Sequence, residues 1–219
     1  MEPAQQPVLQ GPVLDDSSLE WDLFWEKNKS LILAIFAVIV IGGVGVAAWF
    51  GYSSNQNAAA QTLLAEAKGI SELQAVVDKF PKTMPAADAL MRIAAAEREA
   101  GNMEKSNAAF REFLNRFPKH PLAGGALLGV AMNQDAAGDF QSAMATCQQV
   151  VTQFPQSYAA PFAAYTEAEI LLRGFQIEEA RRGFNMVVTQ FPTSPAARMS
   201  AGQLSRLGSG GGAPATPQQ

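Results

Sequence analysis

A Phe-Pro pair recurs in this chain at a fixed interval. Phe80, Phe117, Phe154 and Phe191 are each followed by Pro, and neighbouring members of the series lie 37 residues apart. Proline ends a helix because it lacks an N–H donor and clashes with the preceding turn. A period of this size is typical of proteins built from stacked supersecondary units, so the chain is predicted to be an array of similar units.

Other positions follow the same 37-residue frame and predict what each unit contains. Four columns of apolar or small residues lie at relative positions 0, 4, 7 and 8, which form one stripe of a 3.6-residue helix. These columns are Ser106, Ala143 and Ala180; Phe110, Cys147 and Phe184; Phe113, Val150 and Val187; and Leu114, Val151 and Val188. A further small column, formed by Ala94, Ala131 and Ala168, lets the two helices of a unit touch.

Each unit is therefore predicted to contain helix A, a tight turn, helix B and a Phe-Pro stop. "AGN" (100–102) and "AGD" (137–139) mark the turn, and "RGF" shifts it by one residue in the third unit. Because one pair cannot bury its apolar stripe alone, stacked neighbours must supply the core. The predicted fold class is all-α: a single transmembrane helix followed by a solenoid of antiparallel helix pairs.

Three full units cover residues 82–192, and the flanking segments are predicted to complete the stack. Residues 54–81 are interpreted as an atypical first pair, with Ser71 as the N-cap of its second helix. Residues 194–207 are interpreted as a lone closing helix.

The transmembrane prediction rests on a run of 20 residues, Leu31 to Phe50, that has no charged side chain. As a helix this run spans roughly 30 Å, the thickness of a hydrocarbon core. Aromatic residues flank it, as they do at membrane interfaces: Trp21, Trp25, Trp49 and Tyr52. The sequence therefore predicts a transmembrane helix over residues 30–52.

The charges beside this run predict its orientation. Lys27 and Lys29 come just before it, whereas no Lys or Arg follows until Lys68. The positive-inside rule places the N-terminus in the cytoplasm and the remainder outside, which in a bacterial inner membrane is the periplasm. A cleaved signal peptide ending near residues 57–61 is the competing interpretation, but the run is longer than a signal h-region and follows a net-negative segment.

Composition divides the rest of the chain. Residues 1–29 are predicted to be a cytoplasmic arm, disordered over 1–19, with an amphipathic turn at the inner membrane surface formed by Trp21, Phe24 and Trp25. Residues 53–207 are predicted to form the repeat domain. Residues 208–219, rich in Gly and Pro, are predicted to be a flexible tail.

One face of the predicted membrane helix carries Gly43, Ala47 and Gly51, each four residues from the next. Small residues at this spacing let two helices approach closely, so the face is a candidate for homo-oligomer formation. The plainer interpretation is that glycine is common in membrane helices.

Charge and cysteine content limit the functions that the chain can have. Six acidic residues precede Tyr52, and from there the chain has 14 acidic and 14 basic side chains. Neutrality argues against a nucleic-acid binder, which needs a basic face to displace counterions. Cys147 is the one cysteine, so no intrachain disulfide forms, and this count fits either a reducing or an oxidising compartment.

The order of small, small, aromatic and Pro positions along helices A and B resembles the tetratricopeptide repeat family. The resemblance covers about 155 of the 219 residues. It departs from that family in its 37-residue rather than 34-residue period, and in having Phe113, Val150 and Val187 where the repeat usually has Ala. The resemblance implies a protein-interaction scaffold whose A helices line a binding groove.

Two envelope families share parts of this layout. Phe-Pro followed by Ser or His-Pro and Ala is similar to the repeats of the Tol–Pal-associated cell-division coordinator and of outer-membrane-assembly lipoproteins. The chain has no N-terminal lipobox cysteine and keeps a membrane helix. "FWEKNKS", one span and an Ala/Gln-rich helix leading into repeats are instead similar to the ancillary subunit of the SecYEG translocon.

The sequence offers no catalytic constellation. His120 is the only histidine, Cys147 occupies a core column, and Glu167/Glu169 and Glu178/Glu179 are too close in sequence to face each other on a helix. Metalloprotease, phosphate-loop and nucleophile-elbow motifs are lacking. The protein is therefore predicted to be a non-enzyme that uses no cofactor or metal, with His120 in a capping or solvated role.

The peptide-binding residues are predicted from the resemblance, by transferring the groove positions of the tetratricopeptide repeat to the matching columns of this sequence. The set is Met91, Arg98, Leu128, Met132, Asp135, Phe162, Tyr165, Glu169, Leu172 and Met199, with Asp88, Ala95 and Gly125 in the same columns. Met, Leu and aromatic side chains predict a deformable apolar lining for varied peptide segments. For any one of these residues, packing between neighbouring A helices is the competing role.

The sequence thus predicts a membrane-tethered periplasmic scaffold, translocon-associated or chaperone-like, whose partners are extended or unfolded protein segments. A cell-envelope or cell-division coordinator and a self-assembling structural membrane protein are the alternatives. No nucleic-acid partner is expected.

Overall fold

The computed structural model describes the backbone of residues 16–209 and the side chains of residues 24–208. This part of the chain contains nine helices and no strand, which confirms the predicted all-α class. They are α1 (Asp16–Glu66), α2 (Ile70–Lys79), α3 (Met84–Glu99), α4 (Met103–Arg116), α5 (Ala123–Ala136), α6 (Phe140–Gln153), α7 (Ala159–Arg173), α8 (Ile177–Gln190) and α9 (Pro195–Ser209).

The chain divides into two compact units, one ending at Ser54 and the other beginning at Asn55. The first unit contains the apolar part of α1. An 18-residue window of this helix has a mean hydropathy of 2.8, and none of that window is buried within the protein. The helix is therefore long and apolar enough to cross a membrane, as a span or as a signal anchor.

The predicted ends of the chain fall partly outside this description. α1 begins at Asp16, so residues 16–19 are helical although the sequence predicts disorder for them. α9 continues through Ser209, two residues beyond the predicted closing helix. The remainder of the predicted arm, residues 1–15, and of the predicted tail, residues 210–219, lies outside the described residues.

The second unit is a stack of helix pairs. α3 with α4, α5 with α6, and α7 with α8 are the three predicted A/B pairs, and each helix from α2 onward packs against the next. The end of α1 joins the stack through Ala60 and Leu64, both of which are buried. α9 closes the stack by packing against α8 and α7.

The predicted helical stripe forms the core of each pair. Phe113, Val150 and Val187 occupy one column and are all fully buried. The small columns also meet as expected, because the Ser106 hydroxyl donates a hydrogen bond to the Ala94 carbonyl oxygen at 2.7 Å. A larger residue in either column would separate the two helices.

Each Phe-Pro corner contains a side chain that caps the following A helix. Thr83, His120, Ser157 and Ser194 occupy the same column, and in each the backbone N–H donates to the carbonyl oxygen of the Phe three residues earlier. Their side chains then accept from a backbone N–H in the first turn of the next helix or, for His120, from the residue just before it: Ala86 to Thr83 at 3.4 Å, Leu122 to His120 Nδ1 at 3.1 Å, Ala159 to Ser157 and Ala197 to Ser194, each at 3.1 Å. Of the two roles predicted for His120, capping or solvated, the ring has the first in part, since Nδ1 accepts from the N–H of Leu122, the N-cap residue of α5.

The turns between A and B helices share one geometry, although their sequences differ. Gly101 and Gly138 adopt left-handed conformations with φ of 79° and 81°. In the third pair the corresponding residue is Phe175, with φ of 60°, while the adjacent Gly174 has φ of −79°. The turn is thus not shifted by one residue as "RGF" suggests; the glycine is displaced, and a phenylalanine adopts the left-handed conformation that favours glycine.

The predicted cap at Ser71 is wrong. α2 begins at Ile70, so Ser71 lies inside the first turn and Gly69 is the N-cap residue. The carboxylate of Glu72 reaches back and accepts hydrogen bonds from the N–H groups of Lys68 and Gly69. A charged acceptor at the positive end of a helix is favoured by the helix dipole, which explains why Glu72 takes this role instead of Ser71.

Candidate functional site

An open cleft of about 570 Å³ lies along the adjacent A helices α5 and α7, and Arg98 of α3 also lines it. α3, α5 and α7 contribute to it because each is the first helix of its pair, and lining residues such as Arg98 and Asp135 occupy the same column of the 37-residue frame. Residues three or four apart on one helix share a face, which brings Met132 beside Asp135 and Tyr165 beside Glu169. The lining is formed by Arg98, Met132, Asp135, Ala136, Gly138, Phe140, Tyr165, Thr166, Glu169 and Arg173.

Two arginines connect neighbouring repeats across this cleft. The Arg98 Nη1 group donates to the sulfur of Met132 at 3.6 Å, and Arg173 Nη2 lies 2.5 Å from Asp135 Oδ1. The Arg173 guanidinium also lies 5.8 Å from the centre of the Phe140 ring, in cation–π range. Because sulfur is a weak acceptor, Arg98 retains N–H groups that can bind a stronger one.

A hydrogen-bond network forms the other wall. The Tyr165 hydroxyl donates to Glu169 Oε1 at 2.7 Å, and Gln203 Nε2 of α9 donates to the same oxygen at 2.6 Å. Burial raises the pKa of the Tyr165 phenol; the hydrogen bond from Gln203 opposes this shift, and the Glu169 carboxylate adds to it. The phenol therefore stays protonated at neutral pH and keeps the carboxylate in place.

The structure brings five of the ten predicted groove residues together in this cleft: Arg98, Met132, Asp135, Tyr165 and Glu169. Leu128 is buried in the core, so it is not accessible to a bound peptide. Met91, Phe162 and Leu172 are half-buried and pack against core clusters. Met199 is exposed on α9 but does not line the cleft.

The chemistry of the cleft differs from the expected apolar lining. Two guanidinium groups and two carboxylates accompany the thioether of Met132 and the rings of Phe140 and Tyr165. The reason is that A helices must pack against their neighbours, and the apolar side chains of Leu128 and Phe162 are used for that packing. The polar residues of neighbouring columns, Arg98, Asp135 and Glu169, are left facing the cleft.

Five lining residues were not predicted, Ala136, Gly138, Phe140, Thr166 and Arg173, and Gln203 was not predicted to support the wall. Arg173 lies one position beyond the aligned column of Arg98, Asp135 and Leu172, and Phe140 is the first residue of a B helix. Gln203 comes from the closing helix. The 37-residue frame does contain a signal for Gln203, because it aligns with Thr166, which lines the cleft.

Cys147 and His120 carry reactive side chains, but both side chains have structural roles. Cys147 is fully buried, and burial, with Glu167 and Asp135 nearby, raises the pKa of its thiol to about 12. The His120 ring packs edge-on against Phe113, with centroids 5.3 Å apart. Within residues 24–208, no group of three or more His, Cys, Asp or Glu side chains is arranged to hold a metal ion.

The small-residue face of α1 is open. Gly43, Ala47 and Gly51 are exposed, and a Cβ atom added at either glycine would meet nothing within 4 Å. The face is accessible to a second helix, and its role in self-association stays a prediction.

Comparison with known proteins agrees with this architecture. The sequence profile of the tetratricopeptide repeat-like domain family matches residues 23–201. No curated protein sequence matches the chain.

Similar solved structures include two repeat proteins. One is a tetratricopeptide repeat protein from Parabacteroides merdae, with TM-score 0.51 and 15% identity over 72% of this chain and 60% of the other. The other is a putative kinesin light chain from Podospora anserina with nearly identical TPR-like repeats, with TM-score 0.50 and 19% identity over 70% of this chain and 84% of the other. At these identities the likeness shows the fold alone.

Proposed function

This chain belongs to the tetratricopeptide repeat-like domain family, and we propose that it is a membrane-tethered scaffold that binds extended segments of partner proteins in the periplasm. Solenoids of stacked helical repeats use their concave surfaces for binding. One observation carries the proposal: three successive A helices line a single open cleft in a chain that also contains an apolar helix long enough to cross a membrane.

The chemistry of the cleft supports an extended segment as the ligand. Arg98 offers N–H donors, and the carboxylates of Asp135 and Glu169 offer acceptors. An extended chain presents unpaired backbone carbonyl and N–H groups to such side chains, whereas a helix satisfies those groups internally. The flexible Met132 side chain and the Tyr165 ring would accept apolar side chains of different shapes.

The tether is supported by the extent of the family match. The matching region begins at residue 23, before the apolar run, so it includes the helix together with the repeats. This favours a helix that remains part of the protein over a leader that is removed. Lys27 and Lys29 favour a cytoplasmic N-terminus, and the tether would raise the local concentration of the cleft at the membrane.

Cysteine labelling tests the tether and its orientation. Because Cys147 is buried, it can be retained while one further cysteine is introduced in each of two variants. These are Thr152→Cys on the exposed surface of α6 and Glu2→Cys in the arm. A maleimide that cannot cross the inner membrane is expected to label Thr152→Cys once the outer membrane is permeabilised, and Glu2→Cys only after lysis. The reverse pattern would contradict the orientation, and recovery of the chain in the soluble fraction would contradict the tether.

Within this function, we favour capture of segments as they emerge from the translocon, because the layout resembles the ancillary SecYEG subunit. The Phe-Pro corners, with their similarity to Tol–Pal-associated repeats, support an envelope or division role as the second candidate. A photo-crosslinking residue at Met132, with Thr152 as the control position on α6, separates the two. Crosslinks to translocon subunits and secreted chains, formed from Met132 and not from Thr152, would support the first candidate. Crosslinks from Met132 to Tol–Pal or peptidoglycan-synthase components would support the second.

Self-association through α1 is a third proposal, and it is compatible with either role. Gly43→Ile places a bulky side chain on the small-residue face and is expected to reduce dimerisation in detergent, with Val44→Ile as a control on a neighbouring face. A wild-type chain that is monomeric in detergent would contradict it.

A further inference from the structure

Basic side chains are concentrated in the first two Phe-Pro corners. Lys79 and Lys82 flank the first Phe-Pro pair, and Arg116 and Lys119 flank the second. The matching columns of the later corners contain Gln153, Gln156, Gln190 and Thr193. All four basic residues are exposed, although acidic and basic side chains balance over the chain from Tyr52 onward. We call these four residues the basic corner.

Helix stability explains only half of this cluster. Lys79 and Arg116 lie in the last turns of α2 and α4, where a cation complements the helix dipole. Lys82 and Lys119 lie instead before the N-termini of α3 and α5, where a cation gains nothing from the helix dipole. Neither lysine forms an ion pair with a carboxylate within the part of the chain that the structure describes.

The two corners enclose a depression of about 350 Å³ that is both cationic and apolar. It is lined by Pro81, Lys82, Arg116 and Phe117. The Arg116 guanidinium is held there by Glu112 Oε1, at 2.6 Å, and by a long hydrogen bond to the Val77 carbonyl oxygen, at 3.5 Å. A guanidinium oriented by Glu112, beside an ammonium group and an aromatic ring, suits a phosphate whose other end carries hydrocarbon.

We infer that the basic corner binds the headgroups of anionic phospholipids. The inference rests on the proposed membrane tether, which would keep the repeat domain next to a bilayer surface. An anionic leaflet attracts clustered Lys and Arg side chains, and each lysine near the surface contributes roughly fivefold to binding. Salt weakens this attraction because it acts over about a Debye length.

Lysine labelling of the full chain in lipid nanodiscs tests the inference. Amine-labelling rates of Lys82 and Lys119 are measured by mass spectrometry in phosphatidylcholine nanodiscs and in nanodiscs that also contain phosphatidylglycerol. Lys105, which is exposed near the start of α4, is the internal reference. Labelling of Lys82 and Lys119 is expected to slow severalfold in the anionic nanodiscs and to recover with added salt, whereas the rate at Lys105 stays constant.

Matched variants test whether the corner acts as one surface. In Lys82→Gln/Lys119→Gln, the remaining Lys79 is expected to lose most of its lipid-dependent protection, because two of the four charges are removed. Lys105→Gln removes a charge elsewhere in the domain and is expected to leave the protection of Lys79 unchanged.

Two results would overturn the inference: equal labelling rates of Lys82 and Lys119 in both lipid mixtures, or protection reproduced by inorganic phosphate in phosphatidylcholine nanodiscs. The last would identify a site for free phosphate. Failure of the chain to enter nanodiscs would overturn the tether and this inference together. Entry into nanodiscs without lipid-dependent protection would overturn this inference and leave the proposed tether standing.

Discussion

The Phe110 ring lies against Gly129, so close that a Cβ atom added to this glycine would come within 2.4 Å of the ring. The ring is 6% exposed and packs in the hydrophobic core, so it has little room to move aside. Gly129→Ala is therefore expected to lower the free energy of unfolding by about 1 kcal/mol, because overpacking outweighs the gain in helix propensity. Urea unfolding of the detergent-solubilised chain, followed by circular dichroism, measures this change.

Gly125 provides the matched control on the same helix. A Cβ atom there would meet the Tyr158 hydroxyl at 2.2 Å, but Tyr158 is an exposed side chain that can rotate away. Gly125→Ala is expected to be neutral or slightly stabilising. Equal destabilisation by the two substitutions would contradict the distinction between a fixed and a mobile neighbour.

Phe175 predicts a stabilising substitution. Its left-handed conformation, with φ of 60°, disfavours any residue with a Cβ atom, and 89% of its surface is exposed, so little packing offsets the strain. Phe175→Gly relieves this strain and is expected to raise the free energy of unfolding by about 1 kcal/mol. The greater freedom of glycine in the unfolded chain offsets a small part of that gain. Thermal unfolding measures the change.

Phe175→Ala is the control for that substitution, because it removes the exposed ring and keeps the strain. It is expected to have little effect on the melting temperature. An equal gain from Ala and Gly would attribute the effect to the ring and not to the backbone.

The buried thiol of Cys147 predicts both slow labelling and a pH dependence. Burial raises its pKa from the ordinary 9.0 to about 12, so the folded state holds a proton that the unfolded state loses above pH 9. Unfolding therefore releases a proton between about pH 9 and 12, and stability falls as pH rises through that window. Below pH 9 this group contributes no pH dependence.

Cys147→Ala isolates the contribution of the thiol from other groups that titrate at high pH. The difference in free energy of unfolding between wild type and Cys147→Ala is expected to change by up to about 1.4 kcal/mol per pH unit within that window. Native-state labelling by a thiol reagent at neutral pH is expected only through unfolding. A constant difference from pH 8 to 11, or rapid native labelling, would contradict the burial of this group.

The repeat architecture is predictable from sequence because local physics determines it. Proline stops each B helix at Phe80, Phe117, Phe154 and Phe191, and the helical period alone selects the buried column of Phe113, Val150 and Val187. The capping residues Thr83, His120, Ser157 and Ser194 occupy one column of the same frame. His120 makes this column harder to recognise, because its ring nitrogen replaces a hydroxyl.

The site is less predictable, because it depends on how each A helix is rotated against its neighbours. Alignment places Leu128 and Met132 on the same predicted face, yet packing buries the first and exposes the second. The Tyr165–Glu169 wall is completed by Gln203, a residue of the closing helix. The cap of α2 was missed for a different, local reason: two acceptors lie near the helix end, and the charged Glu72 prevails over Ser71.

Binding of an unfolded polypeptide to the cleft tests the central claim most directly. Met132 is exposed at the cleft, and Thr152 is exposed on α6 outside its lining, so Met132→Glu and Thr152→Glu introduce the same charge at two surfaces. The dissociation constant of a fluorescently labelled, reduced and alkylated polypeptide is measured by anisotropy for the full chain in detergent. We expect Met132→Glu to weaken binding roughly tenfold, a loss of about 1.4 kcal/mol, and Thr152→Glu to leave it unchanged. Equal dissociation constants for wild type and Met132→Glu, or equal weakening by both variants, would contradict the assignment of the cleft as the binding site.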